Sequence, residues 1–345
     1  MNSMAHSIEA RSISDKATWE QFVAGREESN FLQSWQWGEF NKKLNKTVIR
    51  LGFYQNNTIV GVCSGIVENA RRGRYLAVAG GPLIDWTEGH VVTAALEAIK
   101  GAAKEHRCVY VRIRPQHVEN EILYKTFTHA GLKKAPMHLT ADLTSQIDLT
   151  QPVETLLANM RKTTRYEIRK AESLKIHIET STNPADMDTF YDMQMETAKR
   201  HGFVPFSKQF LVEQFKAFAA DGNVLLYKAF HEKQLLAEAF VIFYGHEAAY
   251  HYGSSTDAAR KFPGAPLIQW EAIKEAKQRG MKRYNLWGIV PEGVTGHRFS
   301  GVSVFKRGFG GQDVAYMPAH DIVIDSVRYS LNYAVESLRR KLRRL

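Results

Sequence analysis

The chain has 345 residues, of which 44% are hydrophobic and 24% are charged, so its composition excludes a disordered protein and favours two domains over one. Lys and Arg outnumber Asp and Glu by 10, and the sequence pI is about 9.4. A basic excess of this size is typical of proteins with an anionic partner such as RNA, phosphate groups or an acidic membrane face. A generally basic surface explains it equally well.

Two further features bear on where the chain works. Cys63 and Cys108 lie inside apolar runs without metal-ligand spacing or a disulfide framework, as expected in a reducing cytosol. Residues 1–14 lack the apolar stretch of a signal peptide, and no run of about 18 apolar residues that would span a membrane occurs. The sequence therefore predicts a cytoplasmic location and no metal site.

The first half of the chain predicts helices and strands in a defined order. They are an aromatic helix start at residues 35–40, a β-hairpin at 48–67, a strand at 75–79, an amphipathic helix from residue 96, a strand at 109–113 and an aromatic-glycine end segment at 127–132. The hairpin prediction rests on the turn Gln55-Asn56-Asn57 between two alternating apolar runs.

The second half repeats this order. Its elements are a hairpin at residues 224–244, a strand at 249–252, an amphipathic helix from residue 270, a strand at 284–287 and an end segment at 305–311. Leu96-Glu97-Ala98-Ile99-Lys100 of the first helix recurs as Trp270-Glu271-Ala272-Ile273-Lys274. The repeat predicts an α/β (α+β) protein of two related halves, each a mixed sheet flanked by helices, with the helix-to-strand spacing of the GNAT acyltransferase fold.

Several motifs, taken in chain order, resemble one family, the Fem-type (FemABX) aminoacyltransferases that build the interpeptide bridges of peptidoglycan. They are Phe31-Leu32-Gln33-Ser34-Trp35-Gln36-Trp37-Gly38-Glu39-Phe40, Gly80-Gly81-Pro82, the helix at 162–170, His201-Gly202, Tyr250-His251-Tyr252-Gly253-Ser254-Ser255 and Val304-Phe305-Lys306-Arg307-Gly308-Phe309. The resemblance covers nearly the whole chain and implies tandem GNAT-like domains in the compact form without a coiled-coil arm. The expected domains are residues 1–148 plus a returning segment at 318–345, and residues 149–317.

The resemblance implies a non-ribosomal aminoacyltransferase. It would move an amino acid from aminoacyl-tRNA, a co-substrate used without a further cofactor, to an amine of a UDP-linked or lipid-linked peptidoglycan precursor. The sequence contains no legible Ser-His-Asp or Cys-His arrangement, so we expect direct transfer without a covalent enzyme intermediate.

Lys306 is the leading candidate for the catalytic residue. Attack of an amine on an aminoacyl ester produces a tetrahedral oxyanion, which a fixed cation stabilises, and a lysine can equally hold a phosphate. The resemblance implies a substrate-binding lysine at this position, with Phe305 beside it and Tyr252 in contact with the precursor. Strand alternation predicts Tyr250 and Tyr252 on one face. The residues alone are also consistent with a solvated strand-end lysine and a core tyrosine.

The resemblance also implies that the helix carrying Trp37 borders the precursor cleft. One relative has a lysine where Glu39 stands here and an arginine where Phe206 stands, and those cations hold a nucleotide diphosphate. Their absence favours a lipid-linked precursor, unless a pyrophosphate is held by other cations. The candidates for that role are Lys42, Lys43 and Arg200.

The general base is left unassigned. The family often has an acid before a proline after the long strand of the first half, where this chain has Arg114-Pro115. The carboxylates left nearby are Asp85, Glu119 and Glu121. The amine proton could instead leave to the precursor itself or to the terminal ribose of the tRNA.

A basic helix face at the junction of the halves is the candidate tRNA contact. Arg161, Arg165 and Arg169 recur every fourth residue, which places them along one side of a helix. Lys162, Lys170 and Arg307 add charge to the same half, and together they predict a track for tRNA phosphates. An ordinary solvated helix face explains the same pattern.

Two other functions stay open. An acyl-CoA-dependent N-acyltransferase of the GNAT type needs backbone N–H donors for the pyrophosphate, and the nearest loop, residues 261–266, contains two prolines that lack them. A non-catalytic RNA-binding or membrane-surface protein is suggested by charge alone. The basic C-terminal helix from residue 325 would either touch anionic lipid at the inner membrane face or form a solvated cap.

Overall fold

A computed structural model describes residues 7–202, 204–294 and 296–343. The strands are β1 (Ile8–Ser12), β2 (Thr47–Gln55), β3 (Thr58–Ala70), β4 (Gly73–Gly80), β5 (Cys108–Pro115), β6 (Lys133–Lys134), β7 (Leu143–Asp148), β8 (His177–Ser181), β9 (Val224–His231), β10 (Gln234–Tyr244), β11 (Glu247–Ser255), β12 (Arg283–Gly288), β13 (Gln312–Ala315) and β14 (His320–Val323). The helices are α1 (Lys16–Ala24), α2 (Trp35–Lys43), α3 (Gly89–Glu105), α4 (Glu121–His129), α5 (Val153–Asn159), α6 (Lys162–Ser173), α7 (Met187–His201), α8 (Lys208–Ala219), α9 (Gly264–Gln278), α10 (Ser300–Arg307) and α11 (Ser326–Arg343).

The chain forms two compact units. One runs to Asp142 and resumes at Ala315, and the other is Leu143–Val314. Each contains a seven-stranded sheet, ordered β1-β2-β3-β4-β5-β14-β6 in the first unit and β8-β9-β10-β11-β12-β7-β13 in the second. In each sheet one central pair is parallel, β4 with β5 and β11 with β12, among antiparallel neighbours. The predicted fold class, two mixed sheets flanked by helices, is confirmed.

Both sheets place the strand beside their parallel pair in the same way. In the first unit β14, from the end of the chain, lies antiparallel between β5 and β6. In the second unit the corresponding strand is β7, which precedes the rest of that unit in sequence and pairs with β12. The predicted boundary after residue 148 therefore differs from the structure, because pairing with β12 assigns residues 143–148 to the second unit.

The hairpins form where the turn residues favour them. Asn56 and Asn57 both have positive φ, 49° and 63°, and asparagine tolerates this left-handed conformation better than most residues. Two such residues in succession give the turn whose twist matches that of paired strands. In the second unit the turn between β9 and β10 includes Glu232 at φ 53°.

The repeated helices cover equivalent sheets. α3 buries an apolar stripe that includes Ala95 and Ile99 against its sheet, and α9 buries Ala272 and Ala276 in the same way. The spacing of three and four residues produces this single buried face. Within the described ranges, no helix combines the length and the apolar content needed to cross a bilayer.

Candidate active site

The centre of the second sheet opens between two strands. β11 and β12 pair only through Glu247 with Arg283, Ala248 with Tyr284 and Ala249 with Asn285. Beyond that point β11 stays paired with β10, and β12 stays paired with β7. Past Ala249 and Asn285, β11 and β12 no longer hydrogen-bond to each other. Backbone N–H and C=O groups along the two facing edges can therefore bind the amide or ester groups of an acyl or peptide ligand.

A buried polar network sets the course of β12 at this opening. Arg283 Nε donates to Glu247 Oε2 at 3.0 Å, and Asn285 Nδ2 reaches the same oxygen at 3.2 Å. Asn285 Oδ1 accepts the backbone N–H of Trp287 at 2.8 Å, and Trp287 has a φ of 66°. A large residue with positive φ is strained, and such strain is tolerated where surrounding contacts hold it, often at functional sites.

Lys306 lies where the two strands part. Its Nζ donates to the carbonyl oxygen of Gly288 on β12 at 2.8 Å and lies 5.8 Å from the ring centre of Tyr250 on β11. The residue is in helix α10 and only 8% exposed, so it is not a solvated strand-end lysine. Burial lowers the pKa of Lys306 to about 8. Among the described residues, no carboxylate lies within salt-bridge distance of Nζ.

The predicted common face of Tyr250 and Tyr252 is wrong. Tyr252 is opposite Phe240 and Tyr250 is opposite Val241, so His251 is an extra residue that forms a β-bulge. The bulge reverses the alternation. Tyr250 packs with Val241 against the core under α9, whereas the Tyr252 ring lies 5.7 Å from that of Phe240 on the other face.

His251 was not identified from the sequence as part of this cluster. Burial, and then the nearby charge of Lys306, lower the pKa of His251 to about 3, so its imidazole is neutral at physiological pH. Its ring centre lies 5.4 Å from that of Trp287 and 3.9 Å from that of Tyr252. Because the imidazole of His251 is neutral, the positive charge beside it comes from Lys306.

A basic pocket adjoins the end of β11 within the same unit. Its volume is about 490 Å³, within the range of small-ligand sites. Its cationic lining residues are Lys170, Arg200, Arg260 and Lys261. Phe305, next to Lys306 in sequence, and Tyr166, which is 64% exposed, contribute aromatic surface. Among the described residues that line it, Glu167 is the one carboxylate.

Three predicted site residues therefore come together in this pocket: Lys170, Arg200 and Phe305. Arg200 is held in place, because Nη1 donates to Asp257 Oδ1 at 2.8 Å and Nη2 donates to the carbonyl oxygen of Ser255 at 2.7 Å. The sequence had suggested Arg200 only as one of several cations for a pyrophosphate. It gave no reason to group Arg200 with Lys170, because their proximity depends on how α6 and α7 pack.

The arginine stripe lies away from this pocket. Successive residues of a helix are about 100° apart. The lining residues Thr163, Glu167 and Lys170 therefore occupy one side of α6, and Arg165 and Arg169 the other. The guanidinium of Arg165 donates to the carbonyl oxygen of Ala158 at 2.7 Å.

The remaining residues of the predicted tRNA track have separate environments. Arg161 Nε donates to the hydroxyl of Thr163 at 2.8 Å, and Lys162 is exposed. Arg307 pairs with Asp313 at 2.6 Å, and its Nη2 also donates to the carbonyl oxygen of Val290 at 2.7 Å. The tRNA role of all these residues stays a prediction.

Trp37 and Lys42 belong to the first unit. The Trp37 ring packs against Phe31 and Phe40 at 5.6 and 5.3 Å between ring centres. Lys42 Nζ pairs with Glu39 at 2.9 Å, and that carboxylate also accepts from a buried arginine, Arg50. Lys42 lines a separate pocket of its own unit with Trp35 and Arg50.

The carboxylates considered as bases are already engaged or exposed. A hydrogen bond from the Thr87 hydroxyl lowers the pKa of Asp85 below its usual value. Glu119 accepts a hydrogen bond from the Tyr124 hydroxyl at 2.7 Å, and Glu121 lies in the first turn of α4. Arg114, which stands where the family often has an acid, is buried against the Tyr316 ring, 4.4 Å from its centre.

Each of the two sheets is built around a parallel strand pair, and in the second sheet the pair β11 and β12 opens beside a basic pocket. These features are typical of an acyltransferase. Models of known families agree with this class. The FemAB family model matches residues 14–230, and the acetyltransferase (GNAT) domain model matches residues 158–307. The chain belongs to the FemAB family, and the predicted Fem-type membership is confirmed.

Individual relatives are distant in sequence. The aminoacyltransferase FemA of Staphylococcus aureus strain MRSA252 is 21% identical over 346 aligned positions, covering 76% of this chain and 82% of the relative. The solved structure of FemX superposes with a TM-score of 0.86 at 16% identity, covering 94% of this chain and 99% of FemX. A tandem GNAT protein from the clavulanic acid biosynthesis pathway gives 0.56 at 10% identity, covering 92% and 98%. These structural similarities support the tandem GNAT fold.

Proposed function

We propose that the chain transfers an aminoacyl group from aminoacyl-tRNA to an amine of a peptidoglycan precursor. The observation that carries the proposal is the opening between β11 and β12, with the buried cation of Lys306 at its mouth. Membership of the FemAB family and the similarity to an aminoacyltransferase support it. The opening suits a linear acyl group, and the adjoining basic pocket suits a donor that carries phosphates.

The donor in this proposal is the 3′ end of a charged tRNA. Lys170, Arg260 and Lys261 would meet its phosphates, since cationic side chains supply most of the affinity for nucleic-acid backbones. Tyr166 is exposed at the pocket and offers a ring for base stacking. Two prolines of residues 261–266 lie at the start of α9 and lack N–H groups, so side chains rather than a helix terminus would bind the phosphates.

The reaction needs one bond to form and one to break. The acceptor nitrogen attacks the ester carbonyl carbon, a C–N bond forms, and the C–O bond to the ribose breaks. The leaving ribose oxygen takes up a proton, and the attacking amine gives one up. Lys306 would stabilise the negative oxygen of the tetrahedral intermediate, since a fixed cation in a water-poor site stabilises developing charge strongly.

For the acceptor we propose a lipid-linked rather than a UDP-linked precursor. Glu39 pairs with Lys42 and Arg50, and Phe206 stacks on Phe210 with 4.5 Å between ring centres. Neither position therefore supplies a cation for a nucleotide diphosphate. A lipid-linked acceptor would place the reaction at the inner face of the cell membrane, where the amine substrate and a cytoplasmic tRNA can meet.

The competing function is acyl transfer from acyl-CoA. The GNAT domain match over residues 158–307 favours it, and the prolines at the start of α9 oppose it. Isothermal titration with acetyl-CoA separates the two, because micromolar binding would support a CoA donor. We expect no binding in this range.

The direct test is a transfer assay with the purified chain. A pool of labelled aminoacyl-tRNAs is offered with either the lipid-linked or the UDP-linked precursor, and labelled product is measured. We expect transfer to the lipid-linked acceptor that depends on charged tRNA. No transfer to either acceptor would contradict the proposal and favour a non-catalytic binding protein.

A further inference from the structure

The C-terminal helix α11 packs on the first unit through the Tyr329 ring, which contacts Tyr110, and through a row of polar side chains. Tyr329 and Asn332 are buried, and the side chain of Asn332 accepts a hydrogen bond from Arg72 Nε at 2.7 Å. Glu336 pairs with Arg112 at 2.8 Å. These residues recur at intervals of three and four and so share one face of the helix. An ordinary surface helix buries its apolar face instead.

The opposite side of α11 is apolar and exposed. Val327, Leu331, Leu338 and Leu342 are 72%, 63%, 57% and 75% exposed. Their spacing of four, seven and four residues places them in one continuous strip along the helix. Single exposed apolar side chains are common, but a strip of this kind marks an interaction surface.

Basic residues accompany the strip. Arg328, Arg339 and Lys341 are exposed, and Glu336, the one acid in the sequence of α11, is turned to the protein. Helices with this combination lie in the plane of a bilayer surface, with apolar side chains below the headgroups and cations among anionic phosphates. We propose that α11 binds the surface of a bilayer that contains anionic lipid.

The charges favour lipid over a second copy of the chain. A second copy would present the same basic residues beside its own strip, and α11 has no acid besides Glu336, which is paired with Arg112, to neutralise Arg339 and Lys341. Anionic headgroups supply the missing negative charge. This inference does not depend on the proposed transfer reaction, because binding needs neither tRNA nor an acceptor.

The test measures binding of the full chain to vesicles by co-sedimentation. We expect vesicles of phosphatidylcholine with phosphatidylglycerol to bind at least about tenfold more tightly than phosphatidylcholine alone, with binding weakened by salt. Replacing Leu331→Glu and Leu338→Glu together should abolish binding. The matched control, Ile122→Glu with Val204→Glu, adds the same charge at exposed positions outside α11, 64% and 93% exposed, and should lower binding far less.

A second variant tests the charge requirement. Arg339→Gln with Lys341→Gln should weaken binding to anionic vesicles about tenfold and flatten its salt dependence. Failure of the wild-type chain to sediment with anionic vesicles would overturn the proposal, as would equal binding of the Leu331→Glu/Leu338→Glu variant. A dimer seen by analytical ultracentrifugation without lipid, and lost in that variant, would assign the strip to a second copy and also overturn it. Circular dichroism confirms that each variant is folded.

Discussion

The two sheets share the order of their first five strands and differ at their centres. In the first unit the parallel pair is continuous, with β4 bonded to β5 from Arg74 to Gly80. In the second unit the equivalent pair, β11 and β12, ends after Ala249. A continuous pair uses its backbone groups internally and leaves no gap for a ligand. The same strand pair is therefore closed in one unit and open in the other, which supports the proposal that acyl transfer occurs in the second unit.

Each unit also buries a cation near its central strands, in contrasting ways. Burial opposes the charge of Arg112 in the first unit, but its ion pairs with Asp321 at 2.8 Å and with Glu336 outweigh burial and raise its pKa. Lys306 of the second unit donates to the Gly288 carbonyl and lies beside the Tyr250 ring, and burial lowers its pKa to about 8. The charge of a cation that is paired with carboxylates is already compensated, whereas an uncompensated charge can act on a substrate.

The strongest test of the contrast between Arg112 and Lys306 is to remove the Lys306 cation. Lys306→Met should lower the transfer rate about a hundredfold, as expected for loss of one stabilising contact to an oxyanion. The free energy of unfolding at pH 7 should not fall, because burying an unpaired charge is costly. Steady-state transfer rates and denaturant unfolding give both values. Lys125→Met, on α4, the first-unit helix in the position of α10, is the control and should keep full activity. An active Lys306→Met enzyme would remove Lys306 from the mechanism.

Reversing the charge of the basic pocket should have the next largest effect on transfer. Arg260→Glu with Lys261→Glu should raise the KM for aminoacyl-tRNA about thirtyfold, or roughly 2 kcal/mol, and reduce the salt dependence of binding. The control is Lys162→Glu with Arg169→Glu, which changes the charge equally on α6 but away from the pocket. A larger effect in the control would assign the tRNA to the arginine stripe instead.

The pH dependence of the transfer rate tests whether Lys306 acts in its charged form. With a pKa of about 8, the side chain is mainly charged at pH 7 and mainly neutral at pH 9. If the charged form acts, the transfer rate should fall about tenfold over this interval. Lys306→Arg should retain some activity without that fall, because arginine keeps its proton. A rate that rises through pH 8 in the wild-type enzyme but not in Lys306→Arg would indicate that the neutral amine of Lys306 acts as a base, because deprotonation of the acceptor amine would affect both enzymes.

Local chemistry made much of this architecture predictable. The turn Asn56-Asn57, the alternating strands around it and the repeated helix pattern are each readable from adjacent residues, and together they predicted the tandem mixed sheets. The family resemblance predicted Phe305, and Arg200 was one of several cations suggested for a pyrophosphate; both are found at the pocket. Their roles in binding substrate stay predictions.

Non-local contacts explain what the sequence did not predict. The bulge at His251 depends on pairing with Val241 and Phe240 on another strand, so alternation alone misplaced Tyr250. The burial of Lys306 depends on Gly288 and Tyr250, both distant in sequence. Charge periodicity identified an arginine face on α6, but only packing decides which face borders the pocket.

A buried acid supplies a second contrast, this time in stability. Glu238 on β10 is 1% exposed, and burial raises its pKa to about 7 despite the nearby charge of Lys228. The Thr189 hydroxyl lies 3.0 Å from Glu238 Oε1 and 2.9 Å from the carbonyl oxygen of Asp186. One hydroxyl has one proton to donate, so it can satisfy both contacts only if Glu238 is itself protonated.

Because the pKa of Glu238 is higher in the folded chain than in the unfolded chain, the folded state loses stability as pH rises from about 4.5 to about 7. Glu238→Gln removes the ionisable group and should raise the free energy of unfolding at pH 8 by about 2 kcal/mol, with little change at pH 5. Urea unfolding at both pH values measures this difference. Glu247→Gln is the matched control, because Glu247 is also buried but pairs with Arg283. Its replacement should destabilise the chain at both pH values, since it leaves a cation without its partner. A Glu238→Gln variant that is less stable than wild type at pH 8 would mean that this carboxylate is ionised and compensated in the fold.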